Sequence, residues 1–419
     1  MIGKIKRIVN NDYTLSVLSK ILTAVVGVIS SAFSTRYLGV QYKGDYAYIS
    51  HVANIIVLFL NMGIYQSYSY NYKKYGKGIL KKYTDICYCQ FLLLLFFAIV
   101  LMILIKKPII CLIVVLVPFN ILKMQYSNIV LIENIRLSLL MNVFNSIVSA
   151  ISYMMLYFWV HPSVVYVIAL TVLIDIITVL VFSAKLKVVP RVWEIDTQFL
   201  KEVIRFGIIP MMSGLLATIN YSIDIIFLKG MGSPPELSYY SLAASIINYV
   251  WLIPDAFKSV LFSKSAKKFD TENLEFSSQV SMTFIFLCLV GFALLGRQLL
   301  IIFYGTEFRN SYGVTLLLII GAFSMSIYKL VGVVLVSQGK RVAHFISLAI
   351  SAIINVILNY LLIPIYGMYG AGIASVCSYT VCGIVLLIYF CRLYSMPAYA
   401  LLIPSLQTLN RIKALIRTD

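Results

Sequence analysis

The run "MMSGLLATINYSIDIIFLKGMG", residues 211–232, is long enough to cross a bilayer, yet it holds an aspartate, Asp224, among isoleucines. An ionisable group at that depth is expensive in hydrocarbon, so it is kept for a partner, a proton or a ligand. Polar and small residues recur with it at helical spacing: Pro210, Ser213, Ala217, Asn220 and Asp224 share one face. Three further runs repeat the pattern. They carry Ser16, Lys20, Thr23, Gly27, Ser30 and Ser34; then Ser50, Asn54, Asn61, Tyr65 and Tyr68; then Ser241, Ser245, Asn248, Leu252, Asp255 and Ser259. Inside lipid, such a stripe faces either a wet cavity or another helix. Small residues alone would suit close helix packing, but Lys20, Asp224 and Asp255 favour a hydrated passage. Ser347, Ser351, Asn355 and Asn359, four apart and uncharged, are assigned instead to hydrogen bonds between helices.

The elements that must carry these stripes follow from composition. Of 419 residues, 61% are hydrophobic and 12% charged, with a mean hydropathy of +0.93. An ordinary soluble domain carries about 25% charged residues, and a coat this thin could not cover so much apolar surface. The solvent is therefore lipid. Twelve spans of about 20 residues are predicted at 15–37, 46–70, 84–105, 108–131, 137–160, 163–184, 206–228, 238–262, 278–304, 311–336, 342–364 and 368–391. The first exceeds the apolar core of a secretory signal and is read as a membrane helix despite the preceding Lys4, Lys6 and Arg7.

A net charge of +18 would suit nucleic acid, but the basic residues crowd the short segments on one side of the spans. Lys73, Lys74, Lys77, Lys81 and Lys82 share one such loop. That asymmetry is a topology signal and places both termini in the cytoplasm. The seven cysteines lie in or beside apolar runs, without zinc spacing or a disulfide framework. The CxC at Cys87 and Cys89 is read as lipid-facing, and no metal site is expected, the single histidines His51 and His344 included.

The longest hydrophilic connection divides the spans six and six. The organisation is a six-helix lobe over 1–184, a linker over 185–205, a second lobe over 206–391 and a tail over 392–419. Asp196 and Thr197 open an amphipathic stretch with Phe199, Leu200, Val203 and Ile204 on one side, read as a helix on the inner leaflet. Leu406, Leu409, Ile412 and Ile416 form a similar stripe in the tail. The stripes fall in the first two spans of each half, which points to an internal repeat whose halves line a central cavity, a design that suits a transporter.

The stretch "NVILNYLLIPIYGMYGAGIAS", residues 355–375, resembles a hallmark of the polysaccharide-transport branch of the multidrug/oligosaccharidyl-lipid/polysaccharide exporter superfamily, in particular its Wzx O-antigen flippases. "TRYLG" at 35–39, "FGIIP" at 206–210, Asp224 followed by "SYYSLAA", "IPDAFKSVLFSKSAKK" and "SQGK" agree in order along the chain. Where the family pattern places a basic residue after the span-seven aspartate, this chain has Ile225. The resemblance implies an all-α polytopic membrane protein with two six-helix lobes in a V, working by alternating access in a bacterial inner membrane. It implies as substrate an oligosaccharide repeat unit on undecaprenyl pyrophosphate, turned from the cytoplasmic to the periplasmic leaflet. The lipid bilayer and a polysaccharide polymerase or chain-length machinery are the partners that go with it, with no nucleic acid.

For such a substrate, Lys20 and Lys258 would receive the pyrophosphate near the cytoplasmic side. Asn54, Asn61, Asn220, Asn248, Ser241 and Ser245 would bond sugar hydroxyls. Depth along the spans pairs Arg36 with Asp224 as an outer latch and Lys20 with Asp255 as an inner one. Glu133 is read as a local pair with Arg136, and Asp175 and Lys329 as lumenal groups or buried partners. No cofactor and no catalytic residue is expected; a proton, Na+ or the membrane potential would supply the drive. The alternatives are a small-molecule exporter of the multidrug type and, from another class, an O-antigen polymerase or membrane glycosyltransferase. The last would need a large outer loop or paired loop carboxylates, and neither is present.

Overall fold

A computed structural model describes residues 12–191, 196–265, 270–405 and 408. Its longer helices are α1 Asp12–Leu60, α2 Ile64–Tyr75, α3 Ile79–Ile105, α4 Pro108–Glu133, α5 Ile135–Trp159 and α6 Val164–Leu186. They continue as α7 Thr197–Met231, α8 Pro234–Val250, α9 Leu252–Ser265, α10 Thr271–Tyr304, α11 Ser311–Ser337, α12 Arg341–Tyr394 and the short α13 Tyr399–Leu402. Among the described residues nine helical stretches are long and apolar enough to cross a membrane, which makes this a multi-pass membrane protein. The N-terminal Lys4, Lys6 and Arg7 and the tail stripe Leu406, Leu409, Ile412 and Ile416 lie outside the described residues.

Two of the nine stretches, of 58 and 54 residues, would run about 80 Å or more if straight, against a hydrocarbon core of about 30 Å. Each contains a glycine with non-helical backbone: Gly39 (φ 59°, ψ −174°) and Gly367 (φ 54°, ψ −131°). A side chain makes those conformations costly, so glycine lets the chain turn there. Both lie where the sequence predicts a connection between spans.

Elsewhere the boundaries differ from the predicted ones. The span predicted at 46–70 breaks at Asn61–Gly63, where Met62 and Gly63 both have positive φ, and it resumes as α2. The span predicted at 238–262 breaks at Trp251, between α8 and α9. Pro254 explains that break: it lacks an amide hydrogen, and its ring would clash with the carbonyl four residues back, at Val250. The amphipathic stretch from Thr197 and the span from Phe206 form one continuous helix, α7. Asp196 caps it, its Oδ1 accepting from the Phe199 amide at 3.0 Å.

The chain folds as two compact units, one up to Thr218 and one from Ile219 onward. In the first, α1 packs along α5 and α3 along α4. One buried cluster gathers Tyr68, Tyr83, Tyr126, Phe182 and Phe199, and another Tyr37, Ile49, Ile121 and Val167. Cys87 belongs to the first cluster and is buried, so the lipid-facing reading is corrected: it shares the inward side of α3 with Tyr83 and Ile86. In the second unit α11 is the central helix, packed against α8, α9, α10 and α12.

Candidate functional site

Asp224 sits on α7 in the second unit, 1% exposed. Its Oδ2 accepts from the Tyr240 hydroxyl of α8 at 2.6 Å and from the Ser375 hydroxyl of α12 at 2.5 Å. Its Oδ1 accepts from the Asn359 amide at 2.6 Å. One helical turn earlier, the Asn220 amide donates to Ser351 Oγ at 3.0 Å, and the Asn355 amide donates to both Asn220 oxygens at 2.9 and 3.0 Å. Asn359 donates further to the Asn355 side chain and carbonyl. Asn220 and Asp224 are four apart on one helix, and Ser351, Asn355 and Asn359 are four apart on the other, so the two rows meet rung by rung. These bonds show the interhelical role expected of the span-eleven stripe for Ser351, Asn355 and Asn359, whereas Ser347 donates to the His344 carbonyl of its own helix.

The three donors on Asp224 among the described residues are neutral. A carboxylate buried without a partner charge costs several kcal/mol even after relaxation, so the centre is suited to taking up a proton or a hard cation.

A second charged centre lies on α9 and α11. Lys329 Nζ donates to Asp255 Oδ2 at 2.9 Å and stands 4.2 Å from the Trp251 ring centroid. Trp251, Tyr221 and Tyr379 pack as a triangle of rings with centroids 5.4 to 6.0 Å apart. Asp255 lies in the first turn of its helix, where the backbone dipole favours a negative charge. In the first unit, Lys123 of α4 donates to Asp175 of α6 at 2.6 Å. Glu133 takes the Tyr68 hydroxyl at 2.7 Å.

Of the residues predicted from sequence, Asn220 and Asp224 come together in the ladder. Asn61 is buried at the break after α1, its Oδ1 accepting from the Tyr65 amide at 3.3 Å. Ser241 is buried and Ser245 half-buried, and both hydroxyls donate to carbonyls of their own helix. Lys20, Asn54, Asn248 and Lys258 are exposed, and Arg36 is half-buried. Within the second unit Asp224 takes three neutral donors and Asp255 takes the Lys329 ammonium. Sequence reasoning missed Tyr240, Ser375 and Lys123. Lys123 was discoverable as a charge inside the apolar run 108–131. Tyr240 and Ser375 give no such signal, because hydroxyls are common in these helices.

The helical arrangement is similar in fold to several solved membrane proteins. It is similar to the lipid II flippase MurJ in an inward closed conformation, with a TM-score of 0.76, 16% identity, and 97% of this chain and 93% of that one covered. It is also similar to a MOP superfamily transporter from Pyrococcus furiosus (TM-score 0.61, 13% identity, 94% and 97% covered). An inward-facing MATE family multidrug transporter aligns with a TM-score of 0.61 and 15% identity over 93% and 95%. No family profile matches the chain. No curated protein sequence matches it either.

Proposed function

We propose that this protein is a Wzx-type flippase that moves an undecaprenyl-pyrophosphate-linked oligosaccharide, an O-antigen repeat unit, from the cytoplasmic to the periplasmic leaflet of a bacterial inner membrane. The observation that carries the reading is the likeness to a lipid II flippase over 97% of the chain, joined to the motifs around Gly39, Gly207 and Gly367. The nine long stretches, two of them divided at Gly39 and Gly367, together with α8 and α9 taken as one crossing, support twelve crossings, and in this reading the lobes run over 1–184 and 206–391 joined by 185–205, with the tail 392–419 and both termini in the cytoplasm. In this reading Lys20 and Lys258 meet the pyrophosphate, and the exposed Asn54 and Asn248 meet sugar hydroxyls. Asp224 is the coupling group, exchanging a proton or Na+ as the protein alternates its access, and a polymerase takes up the delivered unit.

Deleting the gene and following the lipid-linked unit tests this. Single units accumulating on the cytoplasmic leaflet are expected. Single units attached to surface lipopolysaccharide without long chains would reject the proposal in favour of a polymerase. A small-molecule exporter is the second reading, supported by the likeness to MATE transporters. It predicts an intact polysaccharide in the deletion strain together with sensitivity to organic cations.

A further inference from the structure

The first unit holds a polar centre that the reading above leaves unused. A cavity of about 250 Å³ lies among α1, α4, α5 and α6, lined by Ser30, Lys123, Asn145, Ser149, Thr171 and Asp175 among others. At roughly 30 Å³ per water it has the volume of about eight waters, enough for one ring-sized polar group. Asp175 is 1% exposed, and its Oδ1 takes the Lys123 ammonium at 2.6 Å. Its Oδ2 is buried as well and receives no hydrogen bond among the described residues. Asp175 forms part of the cavity wall, and a buried carboxylate oxygen without a partner calls for a donor.

The charges decide which donor. The cavity walls bring one ammonium and one carboxylate, already paired, so the site is neutral. A second cation at Oδ2 would sit beside the Lys123 ammonium, and an anion at Lys123 would sit beside Asp175; both arrangements place like charges together. A neutral group that donates and accepts satisfies both ends. Lys123 has three ammonium protons and spends one on Asp175, and its side chain is 32% exposed, so it remains within reach of an acceptor. Apart from Gly27 and Ile174, side chains with hydroxyls and an amide line the rest of the wall.

We propose that this cavity binds a neutral, hydroxyl-rich group, the chemistry of a single sugar residue, with Asp175 Oδ2 as acceptor and Lys123 as donor. Naming the group as a sugar of the transported unit rests on the flippase reading, whereas the preference for neutral polyols does not.

The test is saturation-transfer NMR on the full chain in a detergent without a sugar headgroup. The probes are the methyl glycosides of glucose, galactose, N-acetylglucosamine and N-acetylgalactosamine at millimolar concentration, with glucosamine and glucose 1-phosphate as charged counterparts. At least one neutral glycoside is expected to give transfer, and the signal should not change when sodium replaces choline in the buffer. Ser149→Leu, which fills the cavity, should weaken it at least tenfold. Ser30→Val provides the same block from α1, should Ser149→Leu not elute as a monodisperse protein.

Absence of transfer from all four neutral glycosides overturns the proposal. So does transfer that survives both blocking variants, a stronger signal from either charged sugar, or displacement by sodium. These outcomes leave the deletion experiment unaffected: accumulation of cytoplasmic lipid-linked units without glycoside binding would sustain the flippase and reject the cavity.

Discussion

Asp224 concentrates the chemistry of the second unit in one carboxylate. Because its donors are the neutral side chains of Tyr240, Ser375 and Asn359, Asp224→Asn removes the charge while keeping the shape. The variant is expected to remain folded and monodisperse and to lose at least tenfold in transport, with no response to an imposed pH or sodium gradient. Transport that still follows either gradient in this variant would remove Asp224 from coupling. The Lys329–Asp255 pair is asymmetric, with the lysine side chain 9% exposed and the aspartate 47%. Asp255→Asn strands a buried ammonium and is expected to cost about 3–5 kcal/mol. Lys329→Met leaves a half-exposed carboxylate that can hydrate, and should cost about 1 kcal/mol. Thermal unfolding of the two variants side by side should rank them in that order.

Glycines and one glutamate govern how the elements meet. Gly63 and Gly207 touch backbone to backbone, and a Cβ on Gly207 would come within 2.2 Å of the Gly63 carbonyl oxygen. Backbone cannot swing aside as a flexible side chain can, so Gly207→Ala is expected to destabilise the first unit by at least the ~1–3 kcal/mol of ordinary overpacking. A clear drop in Tm, measured by fluorescence, checks this. In the second unit the Glu236 carboxylate takes the Ser233 amide and hydroxyl and the Met368 amide, tying the start of α8 to the turn at Gly367. Burial pushes the Glu236 carboxyl up, and the Ser233 and Met368 donors outweigh it, leaving it below the usual 4.5. A depressed carboxyl stabilises the fold fully above its unfolded value and loses that contribution as pH falls through the folded value. The Tm gap between wild type and Glu236→Gln should therefore hold steady from pH 7 to about 5 and close below 4.5.

At the scale of the whole molecule, the proposed cargo is an anion moving outward across an energised membrane. An inside-negative potential favours that movement by about 2.3 kcal/mol per charge per 100 mV. Inverted vesicles holding the full chain should take up the lipid-linked unit faster when the potential is imposed with the physiological sign, and slower when it is reversed. Indifference to both signs would leave the ion gradient at Asp224 as the drive.

Much of this was legible in the residues. Apolar length and basic asymmetry identify a multi-pass chain because hydrocarbon accepts only long apolar helices. The turns at Gly39 and Gly367 coincide with "TRYLG" and "IYGMYG". The four-residue row through Asn355 and Asn359 announced its face, since helical spacing says which side a residue occupies. Its partner across the helix boundary was decided by tertiary packing. Asp224 meets Ser375 across 151 residues, Lys329 meets Asp255 across 74, and Lys123 meets Asp175 across 52. A hydrogen bond is made or lost within a few tenths of an ångström near 3 Å, whereas sequence places a helix along the membrane normal only to about one turn of 5.4 Å. Periodicity therefore names the face, and only the packed helices choose the atom opposite it.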